Sequence, residues 1–546
     1  MLFERFLHHF LRKETETAML FTSFAFVAFA AFTALLYFVV PRRIQWCVLL
    51  LASYLFYLFA GWEYIFFLVY TTVVSYVTAR IMQKRADDED AYIASMREQM
   101  DKSARKAYRA KEKRRRFRIL LVGLFLGFGV LAIIKYTAFA AESVNSVLSL
   151  FTDAEITVPS LLLPLGISFY TFQSMGYLID VYRKKARAEQ NLAKFALFVS
   201  FFPQIVQGPI SRFGDLSEQL LAERKFDSMA FRQGLLRVCW GYFKKIVVAD
   251  TAMIAVKELI SSPDEYRGVY VLMLILLYSA QIYGDFTGGI DITVGYAELL
   301  GIRIAENFKR PLSSKTVDEY WNRWHITMGT WFKDYVFYPL SISRPMQKLS
   351  TWSRGKSVAV GKRLPVYIAT LATWFLTGLW HGAGWNFIVW GLLNGIVILI
   401  SNELSPLWRR FGNRFPRLCA SWGWNLWRMA RTFLLMGLIR SLDCYRDVGT
   451  TFRLWGSMLT DWNWGELFTG GLCSFGLGVA EWGVIAGGVA MICIVSHLGR
   501  EVPLRERIAK RPVAVCAAVC LLILLIAVFG AYGIGYDSSQ FIYNQF

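Results

Sequence analysis

Charged residues are scarce in this chain, and long uncharged runs take their place. Only 18% of its 546 residues are Asp, Glu, Lys or Arg, whereas 55% are hydrophobic and 16% aromatic. Several apolar runs are long enough to cross a hydrocarbon core about 30 Å thick as helices. The runs are continuous and do not alternate with polar residues. This composition excludes a soluble enzyme and a β-barrel, and it predicts an all-α polytopic membrane protein.

The signatures of several common enzyme chemistries are also missing. The chain has five histidines, with no pair at zinc-binding spacing, and its eight cysteines show no metal-ligand spacing. No Gly-x-Ser-x-Gly elbow and no phosphate-binding loop is present. We therefore expect neither a bound metal nor a bound cofactor.

The 60 basic and 40 acidic residues give a net charge of +20. In a soluble protein this excess would suggest binding to nucleic acid. In a membrane protein it is better explained by basic cytoplasmic loops beside anionic lipid, so we expect membrane lipid and no nucleic acid as a partner.

The distribution of Lys and Arg predicts the direction of each crossing. Residues 84–118 hold 13 basic and 7 acidic side chains in a helix-like stretch, and the insert 344–363 holds six basic and no acidic ones. Residues 500–511 are also basic, whereas residues 136–182 contain no Lys or Arg. The positive-inside rule places the three basic stretches in the cytoplasm and the connection after residue 140 outside.

Hydropathy predicts about 11–12 transmembrane helices within one membrane domain, residues 19–546. Two further apolar segments, 195–210 and 320–340, are too broken to span and are interpreted as re-entrant or interfacial. Residues 1–18 form an amphipathic extension, and a start at Met19 explains them equally well. The predicted crossings are 19–40, 44–60, 63–81, 119–140, 161–179, 235–260, 269–286, 365–380, 385–400, 429–441, 470–495 and 513–534.

Two histidines lie where an ionisable group is costly and therefore suggests function. His325 lies at the start of the segment 320–340, beside Trp324, and His381 follows Trp380 near the outer end of a predicted crossing. A neutral imidazole can take the proton from a hydroxyl, as acyl transfer to an alcohol requires. A histidine beside a tryptophan is also typical of an interfacial anchor, and that alternative stays open here.

Other polar residues in apolar surroundings are candidates for contact with substrate or for lining a tunnel. For each of them, hydrogen bonding between helices or pairing with a local cation is at least as good an explanation. Asp285 and Asp291 are expected at the end of the crossing 269–286. The remaining candidates are Asp334, Gln207, Asn386 and the two tryptophans beside the histidines, Trp324 and Trp380.

At these residues the sequence resembles the membrane-bound O-acyltransferase family, from Met19 to Phe546. Its bacterial branch typified by the membrane protein of alginate O-acetylation is the most similar. The resemblance rests on residues 163–170 (LPLGISFY), 202–210, 285–288 (DFTG), 321–340 around His325, 378–391 around His381, and the ending 541–546 (FIYNQF).

The resemblance implies a ring of tilted helices with a tunnel, in a multi-pass protein of the bacterial inner membrane. It implies His381 as catalytic base and His325 as its companion, with Trp324 helping to position the donor. The implied reaction moves an acyl group, most simply acetyl, from a cytoplasmic thioester donor (acetyl-CoA or an acyl carrier) to a cell-surface polysaccharide. Transfer is direct or passes through an extracytoplasmic SGNH-type acetyltransferase.

Two alternatives remain at this point. One is transfer of D-alanine to teichoic acid, although that branch is usually shorter. The other is a non-enzymatic transporter or flippase, because such proteins also use glycine-broken segments at membrane depth. A transporter would tolerate replacement of His381 by Gln, whereas an acyltransferase would not.

Overall fold

The computed structural model describes residues 19, 21–159, 161, 163–473 and 475–531. Within these ranges the chain is helical and contains no strand, with a single isolated bridge between Phe308 and Trp324. The predictions for the extension 1–18 and the ending 541–546 lie outside the described residues.

The helices follow the predicted apolar runs but extend beyond most of them. In chain order they are Phe24–Val39, Gln45–Leu58, Ile65–Ser95, Lys102–Leu148, Ile167–Tyr182, Leu192–Ser200, Phe202–Ile205, Phe213–Leu221, Ser228–Tyr242, Asp250–Ser261, Val269–Leu299, Val317–Trp321, Ile326–Phe332, Tyr338–Ser341, Arg344–Arg354, Val358–His381, Trp385–Arg414, Pro416–Ala420, Trp422–Tyr445, Val448–Thr460, Val479–Leu498, Leu504–Ala509 and Pro512–Phe529. Two π-helical segments, Phe243–Ala249 and Lys333–Phe337, join helices without a break.

Six helices in the described part of the chain are long and apolar enough to cross a membrane. The other predicted crossings coincide with helices that are shorter, interrupted or more polar, such as the apolar helix Phe24–Val39. The direction of each crossing stays a prediction. The six spans are Trp62–Ser95, Lys102–Leu148, Val269–Leu299, Trp385–Arg414, Val479–Leu498 and Pro512–Phe529.

The described residues divide into two compact units. The first contains the residues up to Phe231 together with Tyr296–Ile304, and the second contains Arg232–Gly295 and the residues from Ala305 onward. In the first unit the basic stretch 84–118 is mostly helical, as its composition indicates. Arg116 Nη2 lies 2.9 Å from Glu89 Oε2 in a buried ion pair between the two helices that carry this stretch.

The segment 195–210, also in the first unit, is broken as predicted. Helix Leu192–Ser200 ends before Phe202–Ile205 begins, and the Phe202 backbone N–H donates to Ser53 Oγ across the break (3.1 Å). A side-chain oxygen thus satisfies a backbone donor that a continuous helix would have paired. Whether the segment is re-entrant stays a prediction.

In the second unit, helix Val269–Leu299 packs closely against Ser228–Tyr242. A Cβ atom at Gly288 would lie 2.8 Å from the Gly241 carbonyl oxygen, and one at Gly241 would lie 2.7 Å from the Gly288 carbonyl oxygen. Only glycine allows the two backbones to approach this far. Helix Val269–Leu299 extends beyond the predicted crossing 269–286. Asp285 therefore lies within the helix and not at its end, where the sequence predicts it.

A tight helical hairpin leads to His381. Helix Val358–His381 ends at this residue and Trp385–Arg414 begins after the short glycine turn that the sequence predicts. A Cβ atom at Gly391 would lie 2.3 Å from the Trp374 carbonyl oxygen, and one at Gly378 would lie 2.4 Å from that of Phe387. These glycines hold the two helices together next to the histidine.

Candidate functional site

His325 is buried and held from one side by an asparagine. It has a left-handed backbone conformation (φ 48°, ψ 52°) and precedes helix Ile326–Phe332 as its N-cap. Its Nδ1 lies 3.1 Å from Asn307 Nδ2 and 3.2 Å from Asn307 Oδ1. The Ile326 backbone N–H donates to the Asn307 carbonyl oxygen (3.0 Å). Asn307 therefore holds the segment around His325 through both its backbone and its side chain.

The other contacts of Asn307 decide how this hydrogen bond runs. Asn307 Oδ1 already accepts two bonds, from the Thr327 backbone N–H and from the Thr327 hydroxyl, each at 3.0 Å. A carbonyl oxygen has two lone pairs. Asn307 Nδ2 is therefore the group that donates to His325 Nδ1, and the neutral ring carries its proton on Nε2. Burial lowers the pKa of His325 to about 3, so the ring is neutral at physiological pH.

A row of aromatic rings connects His325 with His381. The ring centroids of Phe286 and His325 are 4.9 Å apart, those of His325 and Trp380 5.6 Å, and those of Trp380 and His381 4.9 Å. Trp390 follows at 4.5 Å from His381. The two histidines that the sequence singles out as catalytic candidates thus contact the same indole.

His381 lies at the last position of its helix and is partly exposed. The glycine after it is required sterically, since a Cβ atom at Gly382 would lie 2.0 Å from Cε2 of the Phe387 ring. The turn therefore brings Phe387 against the end of the helix and leaves the imidazole at the edge of the hairpin.

Trp324, which precedes His325 in the chain, is buried. It stacks on Tyr320, with centroids 5.7 Å apart and planes 13° apart, and the Arg440 guanidinium carbon lies 4.3 Å from its ring centroid. Arg440 also donates to the Tyr320 hydroxyl. A guanidinium over an indole face is a favourable cation–π arrangement and fixes the ring. This geometry suits a positioning role for Trp324.

Two of the polar candidates make contacts that support the fold. Asp285 Oδ1 lies 2.6 Å from Lys245 Nζ, which also lies 2.7 Å from Asp250 Oδ1, and all three side chains are buried. Asn386 Nδ2 donates to the Leu442 carbonyl oxygen of a neighbouring helix (3.2 Å). Asp334 lies in the π-helical segment Lys333–Phe337 and is partly exposed.

Gln207 belongs to the first unit and differs from its neighbour Gln204. Gln204 Nε2 donates to Gln173 Oε1 (3.0 Å) and its Oε1 accepts from Ser211 (3.1 Å). Gln207 is fully buried, and neither its Oε1 nor its Nε2 has a hydrogen-bond partner among the described residues. Such a group is costly unless something else satisfies it, which keeps Gln207 a candidate for contact with a ligand.

No group of three or more His, Cys, Asp or Glu in the described parts of the chain is arranged to hold a metal ion.

Comparison with known proteins identifies the family of the chain. Residues 184–353 match the membrane-bound O-acyltransferase family, MBOAT. The chain is 33% identical over 356 residues to the probable alginate O-acetylase AlgI of Pseudomonas putida, an alignment that covers 64% of this chain and 67% of the relative. The chain belongs to the membrane-bound O-acyltransferase family.

Two further relatives show the same relationship. The probable alginate O-acetylase AlgI of Pseudomonas syringae pv. tomato is 33% identical over 352 residues, which cover 64% of this chain and 62% of the relative. The peptidoglycan O-acetyltransferase of Helicobacter pylori is 30% identical over 328 residues, covering 55% and 58%. The alignments thus span about three fifths to two thirds of the length of these relatives. Family membership confirms the all-α, multi-pass membrane class predicted from the sequence.

Sequence reasoning did not find two residues that contact this candidate site. Arg440 lies in the predicted crossing 429–441, where an arginine is a signal by itself because a charge inside a membrane segment needs a partner. Asn307 carries no such signal, since a single asparagine in a polar loop is unremarkable until the fold places it against His325.

Proposed function

We propose that this protein moves a short acyl group, acetyl, from a cytoplasmic thioester donor to a hydroxyl group of a cell-surface polysaccharide. The acceptor is either the polysaccharide itself or a serine of an extracytoplasmic SGNH-type transferase that passes the acetyl group on. The protein works in the inner membrane without a bound cofactor, with acetyl-CoA or an acyl carrier as donor substrate.

The observation that supports this proposal most directly is the contact of His325 and His381 with the same indole, Trp380. Their ring centroids lie 5.6 Å and 4.9 Å from that of the indole. The proposal places the donor thioester at His325 and the acceptor hydroxyl at His381, so that the two substrates meet beside this ring. The names of the relatives, alginate O-acetylase and peptidoglycan O-acetyltransferase, point to acetyl transfer and to a glycan as acceptor.

The two histidines have different tasks in the proposed reaction. His381 takes the proton of the acceptor hydroxyl as its oxygen attacks the thioester carbonyl carbon. The Nε2–H of His325 donates a hydrogen bond to the carbonyl oxygen as negative charge develops there. The C–S bond then breaks, the thiolate recovers the proton from His381, and an ester remains on the acceptor.

The test replaces His381 and measures the esters on envelope polysaccharides by mass spectrometry. We expect His381→Ala and His381→Gln each to abolish O-acetylation while the protein is still made, because neither side chain can act as a base. His497→Ala is the matched control, since His497 is exposed and lies beside a basic stretch.

The same measurement separates the alternatives. Ester-linked D-alanine in place of acetate would identify the acyl group as alanyl. Normal acetylation in His381→Gln cells would reject the enzyme and favour a transporter, whose substrate moves without covalent change.

A further inference from the structure

The second unit contains a cavity of about 170 Å³ that the two histidines do not line. It has room for on the order of ten water molecules. Four basic side chains and two carboxylates line it, together with apolar residues from neighbouring helices. The charged residues are Arg237, Lys244, Arg310, Arg505, Asp291 and Glu306.

The carboxylates are already engaged by three of the four cations. Arg237 holds Asp291 through Nε (2.8 Å) and Glu306 through both terminal nitrogens (2.8 and 2.6 Å). Lys244 Nζ lies 2.7 Å from Asp291 Oδ2, and Arg505 Nη2 lies 3.3 Å from Glu306 Oε1. Burial opposes ionisation of Glu306, but the Arg237 guanidinium lowers its pKa, so it stays charged at neutral pH.

Arg310 is the cation without a carboxylate. No Asp or Glu among the described residues pairs with it, and it lines the cavity from a left-handed backbone conformation (φ 51°, ψ 57°). Such a conformation is unfavourable for a residue other than glycine and is found most often at functional sites. With four cations and two carboxylates, the cavity has a positive excess of two charges, which favours an anionic ligand.

The cavity is adjacent to the aromatic rings around His325. Phe308 lines the cavity, and its ring centroid lies 4.8 Å from that of Phe286 and 5.0 Å from that of Trp324. Phe286 in turn contacts the His325 ring. Two successive ring contacts, Phe308–Phe286 and Phe286–His325, therefore connect the lining of the cavity with His325. The positive-inside rule places the stretch 500–511, which carries Arg505, on the cytoplasmic side.

We infer that this cavity binds a phosphate group. Guanidinium groups bind phosphate oxygens through charge-assisted hydrogen bonds, and Arg310 lines the cavity without an Asp or Glu partner among the described residues. Arg505, which pairs with Glu306 at 3.3 Å, is a second guanidinium in the lining of the cavity. If the proposed function holds, the phosphate belongs to the phosphopantetheine arm that coenzyme A and acyl carriers share, with the thioester directed toward His325.

The test compares two ligands that differ by one phosphate. The full-length protein in phosphatidylcholine nanodiscs is titrated with 4′-phosphopantetheine and with pantetheine. We expect the phosphorylated ligand to bind at least tenfold more tightly, and inorganic phosphate to compete with it. Arg310→Gln and, independently, Arg505→Gln should each weaken its binding about tenfold to a hundredfold.

Arg500→Gln is the matched control, because Arg500 lies in the same basic stretch but does not line the cavity. It should bind as the unchanged protein does. Equal binding of the two ligands, or unchanged binding by both cavity variants, would overturn the inference. Phosphatidylglycerol is also added as a competitor. If it prevents binding of 4′-phosphopantetheine, and if Arg310→Gln no longer binds this lipid, the phosphate is that of a lipid headgroup and the donor assignment is overturned.

The titration needs no acyl transfer, so it fails or succeeds independently of the proposed function. If the protein acetylates normally but does not bind phosphate, the assignment of the cavity is rejected and the proposed reaction stands. If the protein binds phosphate but does not need His381, the proposed reaction is rejected and the assignment of the cavity to a phosphate stands.

Discussion

The hydrogen bond between Asn307 and His325 can be reversed by changing one side-chain group. Asn307→Asp keeps an oxygen that accepts from the Thr327 N–H and hydroxyl, but it removes the N–H group that donates to His325 Nδ1. The neutral ring must then carry its proton on Nδ1 to donate to the carboxylate. His325 Nε2 becomes an acceptor and can no longer stabilise the developing charge on the thioester oxygen.

The size of the effect follows from the loss of that donor. Removing one donor to an oxyanion lowers the rate by about 10² to 10³. A carboxylate beside the ring also raises the pKa of His325, which burial lowers to about 3 in the unchanged protein. The variant therefore gains imidazolium, in which both nitrogens carry a proton, at a higher pH than the unchanged protein does, and it recovers the Nε2–H donor as the pH falls.

The assay measures acetyl transfer from a labelled thioester in membrane vesicles at several pH values. The ratio of the Asn307→Asp rate to the unchanged rate should rise as the pH falls, and taking the ratio removes the pH effects that both proteins share. Asn307→Ala is the control. It removes the acceptor of two hydrogen bonds from Thr327, costs between about 2 and 6 kcal/mol of unfolding free energy, and shows no recovery at low pH. A ratio for Asn307→Asp that stays constant with pH would refute the proton assignment on His325.

Three further predictions concern the surrounding structure. Lys245→Met should lower the unfolding free energy by about 3–5 kcal/mol in a denaturant titration, because it removes the lysine that pairs with the buried carboxylates of Asp250 and Asp285. An unchanged denaturation midpoint would contradict the ion-pair geometry. Gln207→Leu should leave thermal stability intact but lower acetylation, because Gln207 makes no hydrogen bond among the described residues. Gln204→Leu should lower thermal stability, because Gln204 is hydrogen-bonded. Identical behaviour of the two variants would argue against a ligand at Gln207. Gly288→Leu should prevent the close helix approach and reduce the amount of folded protein on size-exclusion chromatography, and a normal yield would be inconsistent with the 2.8 Å contact.

Local sequence predicted most of the helices but not all of their ends. The crossing predicted at 269–286 is shorter than the helix, which continues past Gly288 to Leu299. A glycine costs a helix about 1 kcal/mol, and the close packing of Gly288 against Gly241 offsets that cost. The crossing predicted to end at residue 380 ends one residue later, at His381, before Gly382 and Gly384.

The candidate site shows the same division. His325 and His381 could be selected from the sequence because a histidine in an apolar run is rare and costly. Their contacts with Asn307 and Trp390 could not, since neither a loop asparagine nor a tryptophan shows in the sequence which ring it will meet. The pairing of Asp285 with Lys245 was missed for the same reason, although Asp285 was noticed as a candidate.

The sequence by itself determined that the chain is a helical membrane protein, which residues form its apolar runs, and which two imidazoles can carry chemistry. These follow from the cost of placing charge in hydrocarbon, which each residue bears independently of its distant neighbours. Only the tertiary structure decided that Trp380 contacts both histidines, that Asn307 sets the proton on His325, and that four cations line one cavity. Those properties depend on distances between residues far apart in the chain, and packing alone fixes such distances.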